Sequence, residues 1–132
     1  MKKRIIFIST IVLILILGGL LVINTLFPKV NISTEKATLN YNYNKENISV
    51  ELNEYESELL RKIFNGKRLY RDNPSCGFTE NISIRFGDLI FCVACDNCPI
   101  VKLDNKYFKI SEIELQKLHN IFKSRGGVFP CV

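Results

Sequence analysis

The chain has 132 residues, 47 % of them apolar, with 18 basic and 13 acidic side chains and a net charge of +5. That length holds one domain of ordinary size. Four of the basic residues (Lys2, Lys3, Arg4 and Lys29) flank an uncharged apolar run, and setting them aside leaves 14 basic against 13 acidic. This near balance argues against a nucleic-acid partner, and the aromatic and β-branched content argues against disorder.

Residues 1–4 form a basic tail, and residues 5–27 (IIFISTIVLILILGGLLVINTLF) carry no charge. A helix of 23 residues is roughly 34 Å long, enough to cross a hydrocarbon core of about 30 Å. A cleaved secretory signal would have a shorter apolar region ending in a small-x-small site, and no alanine occurs before Ala37. The expectation is an uncleaved single-pass anchor in the lipid bilayer. The basic tail then stays in the cytoplasm and the rest of the chain is extracytoplasmic. Phe27-Pro28 ends the helix, because a residue before proline avoids the α region. Residues 28–36 (PKVNISTEK) read as a short polar linker, and residues 37–132 as the domain. The tripeptide Asn-Ile-Ser recurs at Asn31, Asn47 and Asn81, and in a chain rich in Asn and Ile it reads as composition.

From Ala37 the pattern has period two: Ala37, Leu39, Tyr41, Tyr43, then Ile48, Val50, Leu52 after a turn at Asn44–Asn47. A helix follows. Asn53 and Glu56 form a capping-box pattern, Tyr55, Leu59, Leu60, Ile63 and Phe64 recur at helical spacing, and Gly66 stands where a terminating glycine belongs. Glu54, Glu56 and Glu58 suit the positive end of the helix dipole better than a catalytic carboxylate set. Residues 67–80 read as a loop punctuated by Asn73-Pro74 and Gly77.

The clearest hairpin is ISIRF–GD–LIFCVAC. A two-residue turn at Gly87-Asp88 sets Phe86 opposite Leu89, Ile84 opposite Phe91 and Ile82 opposite Val93. Cys92 then faces away from the core and Cys95 toward it. A second hairpin, IVKL–DN–KYFKI, buries Val101, Leu103, Phe108 and Ile110. A last helix starts at Ser111, whose capping partner is Glu114, with Leu115, Leu118, Ile121 and Phe122 as its apolar stripe. The order ββ-α-ββββ-α predicts an α+β fold, an antiparallel sheet with helices on one face.

Five cysteines remain: Cys76, Cys92, Cys95, Cys98 and Cys131. In an exported domain they read first as disulfides, with Cys76, Cys95, Cys98 and Cys131 as candidates and Cys92 unpaired. The loop bearing Cys76 and the tail bearing Cys131 have few apolar residues to hold them down. Tying either to the Cys95–Cys98 turn closes a loop of at least about 19 residues, worth about 3 kcal/mol. A local Cys95–Cys98 bridge ranks below those pairings, and the connectivity stays open. The alternative is redox or zinc chemistry centred on Cys95 and Cys98, with Cys76 and Cys131 completing a metal set. Against it, the two pairs lack a second C-x-x-C spacing, and Asp96 inside the motif raises a thiol pKa.

The strings NPSCGF, CVACDNCP and FPCV resemble those of a group of small bacterial membrane-anchored or exported proteins, over roughly residues 52–132. The resemblance implies a shared domain and no activity. His119, the single histidine, reads as a partly exposed helix residue, and Asp88 and Asp104 as turn residues. No catalytic serine elbow, phosphate-binding glycine loop or zinc-protease motif occurs. No cofactor is expected. Arg61, Lys62, Lys67, Arg68 and Arg71 form the densest basic stretch, suited to an anionic envelope surface. The functional expectation is a membrane-tethered binding or structural module rather than an enzyme.

Overall fold

The computed structural model describes residues 2–33 and 36–130. Helix α1 (Lys2–Leu26) is followed by strands β1 (Thr38–Tyr43) and β2 (Glu46–Glu51) and helix α2 (Glu54–Phe64). Strands β3 (Ile82–Phe86), β4 (Leu89–Val93), β5 (Ile100–Leu103) and β6 (Lys106–Lys109) come next, then helix α3 (Glu112–Lys123). The fold is α+β.

The span Ile6–Leu26 of α1 is unburied and is long and apolar enough to cross a membrane. Thr10 and Thr25 donate their hydroxyls back to carbonyls one turn earlier, so even these polar groups suit an apolar surrounding.

The six strands form one antiparallel sheet in the order β2-β1-β3-β4-β5-β6. The β3–β4 register pairs Phe86 with Leu89 and Ile84 with Phe91, as the glycine turn predicts. The first turn is tighter than expected. Only Asn44 and Lys45 lie outside the strands, both at positive φ, so β2 begins at Glu46.

Period-two alternation sends Leu39, Tyr41, Ile84, Phe91, Val101 and Phe108 to one face, where both later helices cover them. Phe64 of α2 stacks on Phe91 with centroids 4.8 Å apart and meets Phe108 edge-on at 5.5 Å. Phe122 of α3 packs on Tyr41 at 6.1 Å. Both helices start with complete capping boxes, Asn53 with Glu56 and Ser111 with Glu114. Tyr55 is not part of the buried stripe of α2 but 77 % exposed. Ser57 takes the buried position instead, its hydroxyl accepting from the Ala37 N–H at 3.1 Å.

The expected linker is a second departure. Within residues 28–33, Val30 and Ile32 are buried in the core. Val30 N–H donates to the Lys67 carbonyl, Gly66 N–H to Val30, and Leu69 N–H to Pro28, all within 2.9 Å. Asn65 accepts from the Ile32 N–H at 2.7 Å. Two alternating apolar residues are too short a pattern to mark a strand, and their partners lie more than thirty residues away. Tyr70 then exchanges both backbone hydrogen bonds with Tyr107 of β6. The chain leaving α1 is therefore stitched to the β6 end of the sheet. β2 is the opposite edge, five strand spacings or about 24 Å from β6.

Candidate functional site

The face of the sheet turned away from the helices is polar at the β2 end. The alternation that buries Leu39 and Tyr41 turns Thr38, Asn40 and Asn42 outward, and in β2 it turns out Asn47 and Ser49. Arg85 of β3 stands opposite Thr38. With Glu80 and Asn81 these side chains line a hollow of about 450 Å³. Ser49 donates its hydroxyl to the Asn40 side-chain carbonyl at 2.9 Å. Arg85 is exposed and forms no ion pair among the described residues. Amides and hydroxyls both donate and accept, whereas the guanidinium only donates. Such a surface can bind a neutral polar ligand, with one anionic group placed at Arg85.

The motif that reads as composition has a structural reason. In Asn47-Ile48-Ser49, strand alternation points Asn and Ser to the polar face and Ile toward the core. In Asn81-Ile82-Ser83 the isoleucine is fully buried. Asn31-Ile32-Ser33 repeats the arrangement in the segment beside residues 65–67. Asn40 and Asn42 at alternate positions were the signal available in the sequence for this face.

Cys76, Cys95 and Cys98 lie in the connections on either side of β3 and β4. Cys76 and Cys98 are joined by a disulfide spanning 22 residues of sequence, with Cα atoms 6.4 Å apart. Cys95 is also disulfide-bonded and packs against the core. Cys131 lies outside the described residues. Cys92 is free and buried on the outer face of β4. Burial pushes its thiol pKa up, more strongly than nearby Lys102 lowers it, which keeps it a protonated and weak nucleophile. The ligand atoms of Cys76, Asp96 and Cys98 lie within 4.8 Å of one another. With the disulfide closed the two sulfurs offer no thiolate, so this cluster can take a metal only after reduction.

The loop and the tail are better held than their composition suggests. Leu69 is buried, and Tyr70 and Phe78 pack against Tyr107 at 6.3 and 5.5 Å. Phe129 is buried against Tyr41 and Phe122, and the Tyr41 hydroxyl both donates to and accepts from the Val128 backbone. Two aromatics in the loop and one in the tail, invisible to an average over composition, supply the anchorage.

The basic stretch divides. Arg61 and Lys62 pair with Glu58, and Lys67 donates to both oxygens of Glu114 at 2.9 and 2.8 Å. That pairing, with the Ser111 N–H, outweighs burial and lowers the Glu114 pKa. Arg68 and Arg71 form no ion pair among the described residues, and both lie where α1 ends.

His119 is buried, not partly exposed, and stacks on Phe129 at 4.1 Å. Its Nε2 has no hydrogen-bond partner. Burial first, and the Lys123 charge second, lower its pKa from 6.5 to about 4. Between those values the unfolded chain binds a proton that the folded protein does not. Stability is therefore complete above pH 6.5 and falls as the pH drops toward 4. The urea midpoint will be lower at pH 4.5 than at pH 7, and His119→Gln will flatten that dependence. Equal slopes in the two proteins would refute the assignment.

No family model, curated protein or solved structure matches the chain.

Proposed function

We propose that the chain is a single-pass membrane protein whose domain faces away from the cytoplasm and serves as a non-catalytic binding module. The observation that carries this reading is the docked segment 28–32. An unburied apolar helix runs directly into an extended segment whose Val30 and Ile32 are buried in the domain, which supports a domain held at the end of the helix. The polar hollow on β1, β2 and β3 then lies at the edge farthest from that attachment, where a ligand in the envelope can reach it. The Lys2-Lys3-Arg4 cluster supports a cytoplasmic N-terminus. A disulfide between Cys76 and Cys98, with Cys95 also disulfide-bonded, suits an oxidising compartment.

A second reading, redox or zinc chemistry, is favoured by the convergence of Cys76, Asp96 and Cys98. It requires the reduced protein.

Photo-crosslinking in spheroplasts treated with external protease tests the first reading. A photoreactive residue in place of Asn42 should yield a discrete crosslinked product, and the same residue in place of Glu112 should not. Added protease should remove domain and product together. A domain that resists protease in intact spheroplasts, or identical products from both positions, defeats the proposal.

A further inference from the structure

Near the end of α1 stand four cations, Lys29, Arg68, Arg71 and Lys106, that form no ion pair among the described residues. Lys29 and Arg68 stand directly opposite each other in an antiparallel bridge. Like charges directly opposite each other disfavour one another, and an anion placed between them would offset that. The Arg68 guanidinium lies 5.1 Å from the centre of the Phe27 ring, next to the last turn of α1. A cavity of about 390 Å³ opens beside it. Its apolar wall is Leu26, Phe27 and Leu69, and its polar wall is Tyr70, Arg71 and Lys106. None of Lys29, Arg68, Arg71 and Lys106 forms an ion pair among the described residues. The Tyr70 hydroxyl is buried without a hydrogen-bond partner. Asp72 is the acid whose charge reaches Tyr70 and, together with burial, raises its pKa.

Apolar wall, aromatic rings and unpaired cations meet at the level where α1 would leave the hydrocarbon. That combination matches an acyl chain joined to a phosphate. We infer that this collar binds the headgroup phosphate of an anionic phospholipid, held by Lys29 and Arg68 on one side and Arg71 and Lys106 on the other. The inference rests on the anchor reading of α1. It gives the Lys29–Arg68 pair a counter-ion that none of the described residues supplies.

The test uses the full-length chain. Flotation with phosphatidylcholine vesicles first checks the anchor, and a chain that fails to float ends both readings. Native mass spectrometry then counts the lipids retained after release from nanodiscs of equimolar phosphatidylglycerol and phosphatidylcholine. The wild type should retain phosphatidylglycerol preferentially. The Lys29→Gln/Arg68→Gln double variant should lose that preference by about five-fold or more, since each cation near an anionic surface contributes about that factor. Lys45→Gln, on the far turn, should keep it. Circular dichroism verifies folding. Should the first pair unfold the domain, Arg71→Gln/Lys106→Gln makes the same test. Equal retention of the two lipids by the wild type, or an unchanged preference in the variants, overturns the inference. Loss of retained phosphatidylglycerol on adding inorganic phosphate also overturns it, by assigning the collar to a free anion.

Discussion

Phe64→Ala should lower the unfolding free energy by about 4 kcal/mol, within the usual range for truncating a fully buried phenylalanine. Phe64 has no exposed surface, stacks on Phe91 of β4 and meets Phe108 of β6 edge-on. It is therefore the side chain that joins α2 to the centre of the sheet and to its β6 edge. Truncation leaves a cavity walled by two other phenylalanines, which the sheet cannot close without moving a strand. A domain of this size is stable by about 5–15 kcal/mol, so the loss is a large share. Urea unfolding of the chain in detergent, followed by tyrosine fluorescence because the protein has no tryptophan, measures it. A change below about 1 kcal/mol would show that the helix does not pack where the structure places it.

Cys98→Ser should cost about 3 kcal/mol, close to the chain-entropy value for a loop of this length. The bond links Cys76, in the long connection between α2 and β3, to the turn that follows β4. Without it the connection is still held by Leu69, by the Tyr70 pairing with Tyr107 and by Phe78. The variant should therefore fold, at lower stability. The same variant separates the two functional readings. Once folded, it should give the same crosslinked product at Asn42 if the protein is a binding module. If the cysteines carry redox or zinc chemistry, its function should disappear while its fold remains. A stability unchanged by both Cys98→Ser and reduction would mean that the native protein does not hold this bridge.

These two residues also show how far a one-dimensional pattern reaches. Phe64 belongs to a helical stripe with a capping box before it and a glycine after it, so its burial was legible. So was the β3–β4 register, because a two-residue turn leaves one way to align the strands. The burial of Ser57 in place of Tyr55 was not legible. It depends on the Ala37 N–H arriving from β1, a partner twenty residues away in sequence.

The polar hollow was half legible. Alternate asparagines in β1 fix a polar face, but Arg85 joins it only because β3 returns beside β1 across an intervening helix and a long loop. Charge in the stretch 61–71 misleads for a related reason. Sequence places the five cations together, whereas long-range contact divides them: Glu114 of α3 takes up Lys67, while Arg68 and Arg71 stay with the end of α1. His119 is a further instance. Helical spacing set it beside the apolar stripe, but the ring that buries it, Phe129, comes from the tail.

The sequence by itself determined the apolar helix, the α+β class, the β3–β4 register and the boundaries of α2 and α3. Each of these depends on interactions among residues close along the chain, where spacing alone decides which groups meet. Tertiary structure decided that residues 28–32 are part of the core, that Cys98 pairs with Cys76, and which cations stay free. Those outcomes depend on which distant segments become neighbours, and strand parity carries no record of that.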